Sequence, residues 1–313
     1  MGELALGSWR ERVGERAYQA DGEGAGWVRV AASDTRQKGH ERYDDGLGNP
    51  MVNPRFEGRQ ELVQAGFDVH QAYDGDVLRT AAGLYVGKGR ADADVWQRDT
   101  ASGQELGAGH IRSDERHMGV YWTGMNARQV YVDAVLHYSS ADHRLRGSGV
   151  HSTLKGHGMA ASLEVGRQIA ASSVWTITPQ AQLRWQQIAV DDLAVDVQGA
   201  TIARYRFDDT DSLLGRIGVA ARYQRQPAWS LWARVDLLQE FEGRNTVHYQ
   251  AVQGGASPRF TSGTQGSSHA LLLGGDVRLG HAVDLFGSAG HQGSLSGQRG
   301  EGWQARLGLR MHW

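Results

Sequence analysis

Trp303-Gln304-Ala305-Arg306-Leu307-Gly308-Leu309-Arg310-Met311-His312-Trp313 is the stretch that decides the fold. In an extended chain successive side chains point to opposite faces. Trp303, Ala305, Leu307, Leu309, Met311 and Trp313 therefore share one face. Gln304, Arg306, Gly308, Arg310 and His312 share the other. A soluble sheet lying on a core can give this alternation too. Here, however, the chain ends on an aromatic residue, and the polar face carries two arginines and a histidine. That is the pattern of a membrane-barrel strand, with apolar side chains toward lipid and polar ones toward a wet lumen.

The same period recurs upstream. Alternating stretches are read at residues 26–32, 61–73, 77–88, 117–124, 130–138, 158–168, 175–185, 213–223, 229–241, 271–279 and 283–289. With the terminal stretch these make twelve strands, an even number, as a closed single-chain barrel requires. Turn formers separate alternate pairs: Asp74-Gly75, Asn126-Ala127-Arg128, Gln226-Pro227-Ala228 and Gly280-His281. Between these short turns the sequence predicts polar connections of about fifteen to twenty-five residues, including the Asn49-Pro50 and Asn53-Pro54 dipeptides. Short turns at one end and long loops at the other belong to outer-membrane barrels. A Greek-key sandwich does not keep that register. Closure also removes the edges that invite aggregation. Tyr73, Tyr121, Trp122, Tyr138, Trp175, Trp185, Tyr223, Trp229, Trp303 and Trp313 fall near strand ends, as interfacial girdles do. Pro179 breaks the pattern, since it has no N–H for a ladder.

Composition agrees. The 313 residues include 43 glycines, 5 prolines and no cysteine, with net charge −2. No apolar run reaches the length of about 18 residues that a transmembrane helix needs. A mean hydropathy of −0.49 is compatible with a barrel, in which only alternate residues need be apolar. The absence of cysteine fits passage through an oxidising periplasm. The near-neutral charge gives no reason to expect nucleic acid. Met1 is followed by no basic segment and only a short apolar one, so no signal peptide is read. For an exported protein this predicts a fragment with an added methionine.

Residues 1–20 differ from the rest. Trp9, Val13 and Tyr18 with Arg10, Arg12, Arg16, Glu11 and Glu15 read as a short charged helix with local ion pairs, and the alternative is a frayed terminus. The glycine-rich run 21–26 ends it. The expected division is residues 1–24 as a helix and connector, and 25–313 as the barrel.

Several motifs resemble one family, the autotransporter translocator domains. Gln64-Ala65-Gly66-Phe67-Asp68 is similar to the family's second-strand signature. Tyr131-Val132-Asp133-Ala134, Ala161-Ser162-Leu163-Glu164-Val165-Gly166 and Pro179-Gln180-Ala181-Gln182-Leu183 follow in the family's order. Residues 212–218 and 238–243, with Thr246-Val247-His248, resemble the pertactin type, and the terminal strand resembles the family's C-terminal assembly signal. The resemblance implies a barrel in the Gram-negative outer membrane with long loops at the cell surface. It implies a monomer that moves an N-terminal passenger outward and then holds a linker helix in its lumen. Implied partners are that passenger, outer-membrane lipid, the barrel insertion machinery and periplasmic chaperones. A helix of 20 residues is about 30 Å long and would thread the hydrocarbon layer.

The polar faces carry Asp68, Asp133, Glu164, Glu240, Arg184, Arg216, Arg234, Arg306 and Arg310. They are read as lumen solvation with structural ion pairs. Contacts to the linker are expected from Arg10, Arg12 and Arg16 to Asp68, Asp133, Glu164 and Glu240, with Arg216 nearby; Glu164 and Glu240 are expected on linker arginines. Trp303, Leu307, Leu309, Met311 and Trp313 form the expected assembly signal. The thirteen histidines show no metal-ligand spacing along one strand face. His151-Ser152 comes without a glycine elbow or an aligned acid. No cofactor, metal or catalytic residue is expected. An outer-membrane hydrolase, protease or phospholipase, and a simple porin, stand as alternatives. Some relatives cut their own linker at an Asn-Asn pair. Here only Asn49, Asn53, Asn126 and Asn245 occur, none in residues 1–25 and none adjacent, so cleavage is expected upstream of Gly2.

Overall fold

The computed structural model describes residues 2–14, 24–38, 42–44, 55–74, 78–98, 104–147, 150–197, 200–252, 259–297 and 300–313. Arg16, Glu15, Tyr18, the Gly75 turn and both Asn-Pro dipeptides lie outside them. Twelve antiparallel strands close on themselves: β1 Ala25–Lys38, β2 Arg55–Asp74, β3 Leu78–Arg98, β4 Glu105–Asn126, β5 Val130–Gly147, β6 Val150–Arg167, β7 Trp175–Val190, β8 Thr210–Gln226, β9 Trp229–Glu240, β10 Gly266–Leu279, β11 Val283–Ser294 and β12 Glu301–His312. Closure runs through β1, which pairs Val28 with Leu309 of β12 on one side and with Ala65 of β2 on the other.

Alternation works outward as expected. Val28, Val30, Val63, Leu84, Val86, Met118, Val120, Leu136, Leu163, Leu271 and Leu307 are all exposed. So large an exposed apolar band on every side of the molecule needs a lipid solvent. On the inner face Arg29, Gln64, Asp133, Glu164, Arg216 and Arg310 are buried. Trp122, Tyr138, Trp175, Trp185, Trp303 and Trp313 are exposed outside. Tyr121 is not part of that girdle. It is buried in the lumen, where its hydroxyl donates to Asp68 at 2.5 Å and accepts from Trp27 Nε1 at 3.1 Å.

The expected long loops are shortened by strand. β2, β3 and β4 run 20, 21 and 22 residues, where about 9–11 suffice to span a bilayer. The stretch 89–112, read as loop, is mostly the outer half of β3 and β4, and His151-Ser152 sits in β6, paired with Arg146 and Leu145. Beyond the membrane both faces of a strand meet water. The ladder of hydrogen bonds continues there while the apolar period stops, so the sequence shows no sign of it. Past β1, β7 and β9, residues 42–44, 193–197, 200–207, 244–251 and 259–263 extend the wall as short paired ribbons.

Pro179 now has its reason. The β6–β7 ladder ends at Gly166–Gln180, and pairing on that side resumes at Ile169–Ile177. Pro179 sits in the gap, while it remains opposite Val219 of β8. A missing donor is tolerated where the neighbouring ladder is interrupted.

Candidate functional site

The lumen is filled by the N-terminal segment. Instead of one long helix the described part is two single turns, α1 Gly2–Leu6 and α2 Trp9–Val13. The break is chemical. Gly7 has φ +57°, which suits glycine, and Ser8 caps α2 in a reciprocal box with Glu11. Glu11 Oε2 accepts from Ser8 N at 2.8 Å. Gly14, at φ +81°, ends α2 with its N–H on Arg10 O.

Direction matters more than length. Leu4 and Ala5 pack on Ala31 and Leu62, well above the short-turn end of the barrel. Arg12 reaches Asp133, three residues from the start of β5 at that end. The segment therefore runs downward from the long-loop mouth. Gly24 O, at the start of β1, accepts from Trp313 N at the same lower end.

The wall grips the segment by backbone and by charge. Arg29 donates to Glu11 O at 2.8 Å and also to Ala5 O. Gln64 donates to Ala5 O at 3.3 Å, and Gln182 to Gly7 O at 3.1 Å. Glu11 is the anionic hub: Arg306 reaches it at 2.5 Å and Arg234 at 3.4 Å, while Arg234 also donates to Ser8 Oγ at 3.0 Å. The local pairs expected for Glu11 give way to arginines of β9 and β12, because burial makes a charged partner far more valuable than it is at a surface. Trp9 is fully buried edge-on against Tyr131, with ring centroids 5.4 Å apart.

With Arg16 outside the described residues, the other expected linker contacts can now be placed. Arg12 pairs with Asp133 at 2.5 Å and lies over the Tyr121 ring, and Thr123 donates to the same carboxylate at 2.5 Å. Arg10 donates to Thr178 Oγ1 at 3.0 Å. Asp68 meets Arg310 of β12 at 3.0 Å, so a carboxylate of β2 holds the terminal strand across β1. Glu164 accepts from the Tyr131 hydroxyl at 2.7 Å and pairs with Arg216 at 3.1 Å. Arg216 also meets Asp236 at 3.3 Å, which makes it a staple across β6, β8 and β9. Glu240 accepts from Leu213 N and Ser212 Oγ, both at 2.8 Å, and faces the vestibule beside Leu4. In the terminal strand Arg306 and Arg310 point inward, while Trp303, Leu307, Leu309, Met311 and Trp313 point outward.

One cluster escaped the sequence because its members lie on different strands. Glu115 and His117 of β4 and His137 of β5 bring donor atoms within 4.8 Å of one another. The chemistry of its hydrogen bonds argues against a metal. Arg29 Nε holds Gln64 Oε1 at 2.6 Å, which turns the Gln64 amide N–H toward His117 Nε2 at 3.0 Å. His117 Nε2 is then the acceptor, and Nδ1 carries the proton donated to Glu115 at 3.0 Å. The cluster continues the polar wall upward from the segment.

Comparison with known proteins fits this geometry. The family model described as Autotransporter beta-domain matches residues 26–290. The pertactin autotransporter of Bordetella bronchiseptica is 28% identical over 220 residues, 66% of this chain and 22% of its own length. The adhesin BmaC autotransporter of Brucella suis is 24% identical across 98% of this chain, which is 9% of its own length. The chain thus spans a quarter or less of these relatives. Among solved structures, the transport unit of the autotransporter AIDA-I from Escherichia coli superposes with TM-score 0.73 at 14% identity, covering 96% of this chain and 93% of that one. The translocator domain of autotransporter NalP from Neisseria meningitidis gives 0.61 at 16%, covering 96% and 94%.

Proposed function

Because the chain belongs to the autotransporter β-domain family, whose barrels sit in the Gram-negative outer membrane as translocators, we propose that it carries a passenger attached upstream of residues 2–14 to the cell surface. It afterwards anchors that passenger with those residues as its plug. Residues 1–24 then act as linker and 25–313 as translocator. The observation that carries this reading is the direction of the luminal segment, with α1 toward the long-loop mouth and Arg12 toward the short-turn end. A chain left in the pore after moving outward must lie this way. The charged, hydroxyl- and amide-rich wall supports passage, since it offers water and exchangeable hydrogen bonds in place of an apolar surface.

The barrel works without catalysis. His151 and Ser152 occupy successive positions of one strand and so point to opposite faces. The insertion machinery and periplasmic chaperones read the outward face of β12, and the barrel acts as a monomer. An epitope tag placed before Gly2 tests the reading. Antibody should bind the tag on intact cells. A tag protected until the outer membrane is permeabilised would overturn it.

A further inference from the structure

The outer face carries a line of charge that the translocator role does not use. Register places Leu307, Val30, Val63, Lys88, Arg116, Ser140 and His157 on one line across neighbouring strands. All except Ser140 belong to the apolar or basic kind, and the line changes from one to the other between Val63 and Lys88. On β3, β4 and β6 the basic residue stands two positions outward of an exposed apolar side chain: Val86, Met118 and Met159. Lys88, Arg116 and His157 therefore stand at the rim of the lipid belt, on the side of the long loops.

Among the described residues these three basic side chains have no ion-pair partner. One row further out Asp114 is satisfied within the wall: it takes Arg144 at 2.7 Å, Arg90 at 3.1 Å and Arg112 at 3.8 Å. Lys88 and Arg116 are also direct cross-strand neighbours, and like charges opposite one another destabilise a sheet. An anion between them removes that cost. The same part of the outer face is hollowed: Leu307, Val30 and Val63 line one end and Lys88 and Arg116 the other, with Glu61, Arg90, Asp114, Asp142 and Arg144 along its outer side.

We propose that this hollow binds a phosphorylated glycolipid of the outer leaflet, a lipid A-type molecule. Its phosphate sits between Lys88 and Arg116, Ser140 and His157 hydrogen-bond its sugar, and an acyl chain lies over Val63, Val30 and Leu307. The groups are complementary in order as well as in kind. Long basic side chains rise from the apolar edge to the headgroup level. Acidic headgroups attract basic residues there, and two such residues predict a loss of roughly tenfold or more in binding when both are neutralised. Glu61, Asp114 and Asp142 lie one step further out than the phosphate position; Arg90 and Arg144 hold the Asp114 carboxylate, and the sugar rather than the phosphate lies beside the other two.

Native mass spectrometry of the folded barrel with added bis-phosphorylated lipid A tests this. The wild type should retain one lipid, and the double variant Lys88→Gln with Arg116→Gln should retain it at least about tenfold less. Arg204→Gln, an exposed charge on the ribbon beyond β7, should leave retention unchanged. Because the double variant relieves a like-charge contact, its heat-modifiable folded form should be at least as abundant as that of the wild type in lipid-free detergent. Equal retention by the double variant would overturn the proposal. So would equal retention of dephosphorylated lipid A, or full displacement by millimolar inorganic phosphate, which would leave a bare anion site.

Discussion

The two faces of β12 solve different problems with neighbouring residues. Outward, Trp303, Leu307, Leu309, Met311 and Trp313 present bulk to lipid and need no particular partner. Inward, Arg306 and Arg310 each have one: Glu11 of α2 and Asp68 of β2. The lipid face asks only for a kind of residue, whereas the luminal face asks for a particular atom at a particular place. Substitutions should therefore be tolerated by opposite rules on the two faces.

The strongest way to break this contrast is to remove what the inner face holds. Deleting residues 2–14 should raise single-channel conductance in planar bilayers several-fold and lower the melting temperature, while leaving the outer face untouched. Unchanged conductance would move the segment out of the pore. Next in size is Glu11→Ala, which removes the carboxylate that Arg306 and Arg234 share and leaves Arg234 on Asp236. Losing one partner of a buried pair costs about 3–5 kcal/mol, and the heat-modifiable form should unfold at a clearly lower temperature on gels. Outside, Leu309→Arg should cost roughly 2–4 kcal/mol and, like deletion of 311–313, reduce the folded form recovered in outer membranes. Normal folded levels in both would remove the terminal face as an assembly signal. The smallest effect is Met311→Leu, an apolar exchange expected to cost less than about 1.5 kcal/mol. A melting temperature lowered as far as by Glu11→Ala would show that the outer face also demands an exact shape.

The sequence disclosed the outward face almost completely, because apolar period two is a local signal and each strand carries its own copy. The inner face was legible only as a set of polar residues. That Glu11 meets Arg306 and Arg234 depends on a segment folding back through a closed ring, which no spacing along the chain records. Glu115, His117 and His137 were hidden for the same reason, since strand-to-strand neighbours are not sequence neighbours. The outer halves of β3 and β4 were hidden for another. Once both faces of a strand are wet, nothing in residues 89–112 distinguishes a paired backbone from a loop.

The pair Asp68–Arg310 also acts as a parity check on closure. Alternation alone rejects any closing register that is wrong by one residue, since that would turn Arg306 and Arg310 to lipid. It is blind to an error of two, which returns every side chain to its proper face. Such a slip carries Arg310 about 7 Å from Asp68, and Arg306 equally far from Glu11. The outward face can say only odd or even. The two inward arginines supply the missing digit, and they do so on the strand that closes the ring against β1.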